Sequence, residues 1–93
     1  MSVYVIGRIV VKDEAKWASY REQVPATLAP WGAEVLLRGR GLPLLGEAGG
    51  DVVVVRYPDA ASVRDWHASA AYQALIPLRE QACDMVLAAY EEA

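Results

Sequence analysis

The chain contains one cysteine, Cys83, and one histidine, His67. A single cysteine excludes an intrachain disulfide and fits a reducing cytoplasm, which is the expected location. One histidine and one cysteine also fall short of the three or four ligands that a zinc site built from soft donors takes. No clustered acids offer a carboxylate-rich metal site instead. No apolar run approaches the ~20 residues of a membrane helix. The opening "MSVYVIGRIVVKDE" lacks the basic flank and small-residue cleavage site of a signal peptide. Basic residues are few, nine against twelve acids, and scattered, for a net charge of −3. Nucleic-acid binding needs a basic patch or stripe, so no such partner is expected. The glycines form no nucleotide cradle. "GRGLPLLG" does not pass from a strand into a helix, and "GEAGG" lacks the following Lys-Ser/Thr. No nucleophile elbow or serine–histidine–acid order is present, so a hydrolase is not indicated. No cofactor and no metal are expected.

Apolar residues are plentiful. They make up 55% of the chain, above the roughly 45–50% of an average globular domain. Residues 1–93 suit one domain, and a chain this short buries only about 60–65% of its unfolded surface. "SVYVIGRIVVK", 2–12, reads as a strand, being β-branched and aromatic. Asp13 is the expected cap of a first helix, whose apolar stripe runs Trp17, Tyr20, Val24, Leu28, Trp31. Pro25 predicts a kink or restart, and Gly32 the stop. Residues 33–45 read as a second strand, irregular toward its end. Gly39 and Gly41 predict a bulge or close backbone approach, and Pro43 a sheet edge. "GEAGGD", 46–51, predicts a hairpin connection and "VVVVRY", 52–57, a third strand. "PD", 58–59, ends that strand and caps a second helix. This helix is broken at Ser69, a new cap, and at Pro77. "DMVLAAY", 84–90, is the last strand, followed by a fraying acidic tail. The order β-α-β-β-α-β predicts an α+β, ferredoxin-like fold: a four-stranded antiparallel sheet with two helices on one face.

Such a sheet, with one face wet, normally alternates apolar and polar residues. "VYVI", "VLL" and "VVVV" are apolar on both faces. Each buried valine contributes roughly 1.5–3 kcal/mol, so the second face needs a cover. The short acidic C-terminal segment is a poor one, which leaves the sheet of a second copy. A homodimer through the sheet face is therefore expected. The blocks "YREQVPATLAPWGAEVLLRG", "VVVVRYPD" and "WHASAAYQALIPLR" resemble the domain-of-unknown-function 1330 family over nearly the whole chain. The resemblance implies a dimeric α/β barrel, in which two ferredoxin-like sheets pack face to face. The wider superfamily includes cofactor-free monooxygenases, muconolactone-type isomerases and haem-handling enzymes, so the resemblance implies an architecture and not a reaction. Arg56 stands where the family pattern often has a glutamate, and His67 where an aromatic is more common.

Six polar side chains and one indole are candidate site residues. Arg8, Arg38 and Arg56 lie in apolar strands, where an unpaired buried charge is expensive. They either sit at sheet ends paired with acids such as Glu34 and Asp51, or line a cleft and hold the carboxylate of a small acid. Arg38 matches the family's Arg-Gly position. His67 is the only residue of a type that ordinarily titrates near neutral pH, but Val63 and Trp66 share its helical face next to the core. His67 and Tyr72 are the candidate proton carriers, and Arg8, Arg38, Arg56, Arg79 and Trp66 the candidate ligand contacts. In a continuous helix, Tyr72 and Arg79 would lie two turns, about 10–11 Å, apart. Arg79 alternatively tethers its helix. Two functions follow: a dimer that binds and transforms a small aromatic or acidic metabolite between sheet and helices, or a dimer that sequesters a ligand or regulates a partner without catalysis.

Overall fold

The computed structural model describes residues 1–47 and 49–93. Strand β1 runs Val3–Val11, followed by α1, Glu14–Leu28, and a 3-10 turn, Ala29–Trp31. Then come β2, Glu34–Arg40, and β3, Asp51–Tyr57. Three helical pieces follow: α2, Ala60–Ala68; α3, Ala70–Gln73; and α4, Ile76–Ala82. Strand β4, Cys83–Glu91, closes the sheet. Its order is β2-β3-β1-β4, antiparallel throughout, as the ferredoxin-like reading requires. The Cα trace spans 31 × 31 × 16 Å, the thickness of one sheet under one helical layer.

Local chemistry explains where the elements start and stop. The Asp13 carboxylate accepts the Lys16 amide at 3.0 Å and opens α1. Asp59 does the same for Ser62 at 2.7 Å and opens α2. Ser69 ends α2 in extended geometry, and its hydroxyl then accepts the Tyr72 amide to start α3. Pro77 occupies the first turn of α4, where its missing N–H removes nothing. The second helix is thus broken at both expected joints.

Several boundaries differ from expectation. Pro25 does not restart α1; the helix runs through it to Leu28. Pro25 lies in the last turn, where its missing N–H leaves only the Arg21 carbonyl without its helical partner. Strand β2 ends at Arg40, so Pro43 lies beyond it, in the 41–50 connection. That connection begins well before the expected hairpin at 46–51, of which residue 48 lies outside the described residues. The irregularity of β2 falls between Val35 and Leu37 rather than at Gly39 or Gly41. The glycine that a close approach demands is Gly50. Its φ is +89°, and a Cβ there would stand 2.3 Å from the Ile9 carbonyl oxygen. The acidic tail is less frayed than expected, since Glu91 pairs with Val3 and the Glu92 amide donates to the Ser2 carbonyl.

Alternation assigns the two sheet faces. Val3, Val5, Ile9, Val55 and Tyr57 point toward the helices and are buried. Trp66, Tyr72, Tyr20, Leu28 and Leu75 complete that core. Trp17 and Trp31 are half-buried against it. The opposite face carries Ile6, Val10, Val52, Val54, Leu37, Val86 and Tyr90. Four of these are more than half exposed: Val10 51%, Leu37 52%, Val86 66% and Tyr90 54%. The valine run is therefore apolar on both faces, and only one is covered within the chain.

Gly50→Ala should destabilise the chain by about 1–3 kcal/mol, the cost of a side chain held in a disallowed backbone region. Gly39→Ala is the matched control. Its Cβ would meet nothing closer than 3.8 Å, and urea denaturation should place it close to the parent. The amide of Ser62 holds the Asp59 carboxyl below its ordinary pKa of 3.8. A lowered folded-state value adds stability above the unfolded pKa and loses it as pH falls through the folded one. Thermal unfolding of the parent and Asp59→Ala should therefore differ at neutral pH and converge in acid.

Candidate functional site

Helix α1 packs beside α4 and over the sheet, with Tyr20 and Leu28 in the same core as Val5 and Val55. A cavity of about 260 Å³ opens beneath it, toward the uncovered β2 edge. The floor is Val5, Ile9, Val53, Val55, Met85 and Leu87, from β1, β3 and β4. Trp17, Tyr20, Val24 and Leu28 of α1 form the roof, and Trp66 and Tyr72 the inner wall. Gly7 lies between two floor residues, where a Cβ would meet Val53 at 3.0 Å and Leu87 at 3.4 Å. The mouth carries three guanidinium groups and one carboxylate: Arg21, Arg38, Arg40 and Asp51. The three arginines are exposed, and none is ion-paired among the described residues.

Deep in this wall lies a polar cluster. The Tyr20 and Tyr72 hydroxyls are 2.9 Å apart. Arg79 Nη1 donates to the Tyr72 hydroxyl at 3.0 Å, and Arg79 Nη2 to Glu80 at 2.8 Å. Tyr72 is fully buried and Tyr20 is 5% exposed. Burial, and then the nearby Tyr72, push the Tyr20 pKa well above its ordinary value, so Tyr20 stays a hydroxyl. Burial works against the Arg79 charge, but the bonds to Glu80 and Tyr72 outweigh it and keep the guanidinium charged. The Tyr72 ring packs 4.2 Å from the Trp66 indole, whose Nε1 donates to Thr27 Oγ1 at 3.1 Å. Thr27 in turn donates to the Val24 carbonyl at 2.7 Å.

The candidate residues divide among several places. Arg38, Trp66 and Tyr72 meet at the α1 cavity. His67 is exposed and lines a second hollow of about 310 Å³, with Val63, Arg79 and the far side of Trp66. Its ring lies 5.6 Å from the Tyr72 ring. Tyr72 and Arg79 belong to separate helices, not one, yet their side chains touch. Arg56 is on the open sheet face, paired with Glu34. Arg8 is also on that face, opposite Val52 and Val86. Sequence reasoning missed Arg21, Arg40 and the Tyr20 hydroxyl. Arg40 was findable, since residues two apart on a strand share a face with Arg38. Tyr20 falls on the apolar stripe of α1, and a stripe says nothing of where a hydroxyl ends. Among the described residues, no three metal-ligating side chains come together, and no helix is long and apolar enough to cross a membrane.

The family model described as "Domain of unknown function (DUF1330)" matches residues 2–93. No curated protein matches the chain. Among solved structures, a protein of unknown function from Rhodopseudomonas palustris is 16% identical, with a TM-score of 0.83 over 99% of this chain and 82% of that one. SnoaB, a cofactor-independent oxygenase from Streptomyces nogalater, is 13% identical, with a TM-score of 0.73 over 99% and 93%. A dimeric ferredoxin-like protein of unknown function from Jannaschia sp. is 12% identical, with a TM-score of 0.71 over 99% and 100%. These likenesses are of fold.

Thr27→Val should leave the Trp66 indole N–H buried without an acceptor. The expected loss is about 1–3 kcal/mol of unfolding free energy, measured by chemical denaturation.

Proposed function

This chain belongs to the DUF1330 family, and we propose that it is a homodimer that binds one small aromatic acid per subunit in the α1 cavity. The observation that carries the reading is the pairing of an apolar, aromatic-walled cavity with an arginine mouth. Such a pocket buries a ring by its walls and fixes it by a few polar groups. Arg38, with Arg21 and Arg40 beside it, holds the carboxylate, since a planar fork matches that geometry. Trp66 and Tyr72 face the ring. The dimer reading rests on the exposed apolar sheet face, which a second copy of the same sheet would cover. The dimeric ferredoxin-like protein from Jannaschia sp. supports it by analogy. A reducing, cytoplasmic setting goes with this reading, and the free thiol of Cys83 fits it.

Cofactor-free oxidation or isomerisation is the reaction class that suits a cavity which orients an anion and offers hydroxyl groups. The oxygenase SnoaB supports that class by fold alone. One observation favours the rival, a dimer that only sequesters its ligand. His67 lines the second hollow rather than the α1 cavity, so no imidazole stands beside Arg38.

Benzoate and phenylacetate, screened by thermal shift, should raise the melting temperature of the parent. Arg38→Ala should lose the shift, while Arg64→Ala, exposed on α2 and away from both cavities, keeps it. A shift that survives Arg38→Ala unchanged places the ligand elsewhere. Light scattering at micromolar concentration should give twice the chain mass, and Val86→Glu should give a monomer. A monomeric parent overturns the dimer.

A further inference from the structure

The Tyr20–Tyr72 pair has one hydrogen too many for its own bonds. Two hydroxyls bring two donor hydrogens. The 2.9 Å contact between them uses one. Arg79 is itself a donor, so its bond to Tyr72 fills a lone pair and uses no hydroxyl hydrogen. If Tyr72 donates to Tyr20, the Tyr20 hydrogen is left over. If Tyr20 donates to Tyr72, the Tyr72 hydrogen is left over. In either arrangement one O–H finds no acceptor among the described residues. Both side chains are at least nine-tenths buried and both line the α1 cavity. A buried donor left unmade is costly.

We propose that this spare hydroxyl hydrogen is a binding site for a second ligand oxygen, so that the α1 cavity selects aromatic acids carrying a keto or phenolate oxygen remote from the carboxylate. This deepens the reading of the cavity as an aromatic-acid site and rests on it. The rim arginines take the carboxylate, and the tyrosine pair takes the far oxygen. Arg79 stands behind the pair and polarises it, because a hydroxyl that accepts from a cation donates more strongly in turn. A hydrogen bond to charge developing on that oxygen is stronger than one to a neutral oxygen. The pair is therefore better matched to an enolate or phenolate than to a hydrocarbon edge. Tyr20, held protonated by burial, remains a donor across the neutral pH range.

Calorimetry with 3- and 4-acetylbenzoate, each against its isopropyl counterpart, tests this directly. The two compounds of a pair share shape and carboxylate, and only the acetyl group has an acceptor oxygen. For at least one isomer, the acetyl compound should bind the parent about tenfold tighter, the cost of leaving a buried donor unpaired. Tyr20→Phe/Tyr72→Phe should abolish that preference. The parent comparison needs no variant, so it stands whether or not the double variant folds. Equal binding of both members of each pair, lost in Arg38→Ala, overturns the spare-hydrogen site and leaves the aromatic-acid cavity standing. A preference that persists in a folded double variant also overturns it. Absence of binding by all four compounds overturns both.

Discussion

One hydrogen-bonded chain ties the helical layer together. Tyr20 belongs to α1, Tyr72 to α3 and Arg79 to α4, and their side chains meet in the order Tyr20, Tyr72, Arg79. The contact between the tyrosines joins residues 52 apart in sequence. In a dry environment such bonds are strong and costly to break. They hold the middle of α1 to α3 and α4. The same tyrosines line the cavity between the apolar stripe of α1 and the sheet, and the arginines of β2 stand at its opening.

The sheet itself is under a different constraint. Its strands are apolar on both sides, and the helices cover only one. That asymmetry leaves one apolar sheet face uncovered by the chain's own helices and sets it apart from the cavity. Arg8 and Arg56 fall on the open face, Arg56 in a pair with Glu34. Arg38 shares a strand with Glu34 but points the other way, because the irregularity between Val35 and Leu37 shifts the alternation. One extra residue in β2 thus decides which arginine reaches the cavity.

Much of this architecture is legible in the sequence. Strand chemistry, the Asp13 and Asp59 caps, the breaks at Ser69 and Pro77 and the two-faced valine run are all local signals, and local signals survive folding. The errors fell where tertiary context outweighed a local rule. Pro25 did not restart α1, because in the last turn it orphans a single carbonyl. Gly39 did not mark the tight spot, because close approach depends on which backbone lies opposite, and that proved to be Ile9 beside Gly50.

The sequence by itself determined the element order, the antiparallel sheet and the apolarity of both sheet faces, since periodicity, caps and breakers act over a few residues. Only the tertiary structure decided the site. It moved His67 out to a second hollow and brought Arg21 and Arg40 to stand with Arg38. It turned two tyrosines of the apolar stripes into a shared polar group. Which hydroxyl meets which guanidinium depends on how three helices lie over one sheet, and no spacing along the chain encodes that.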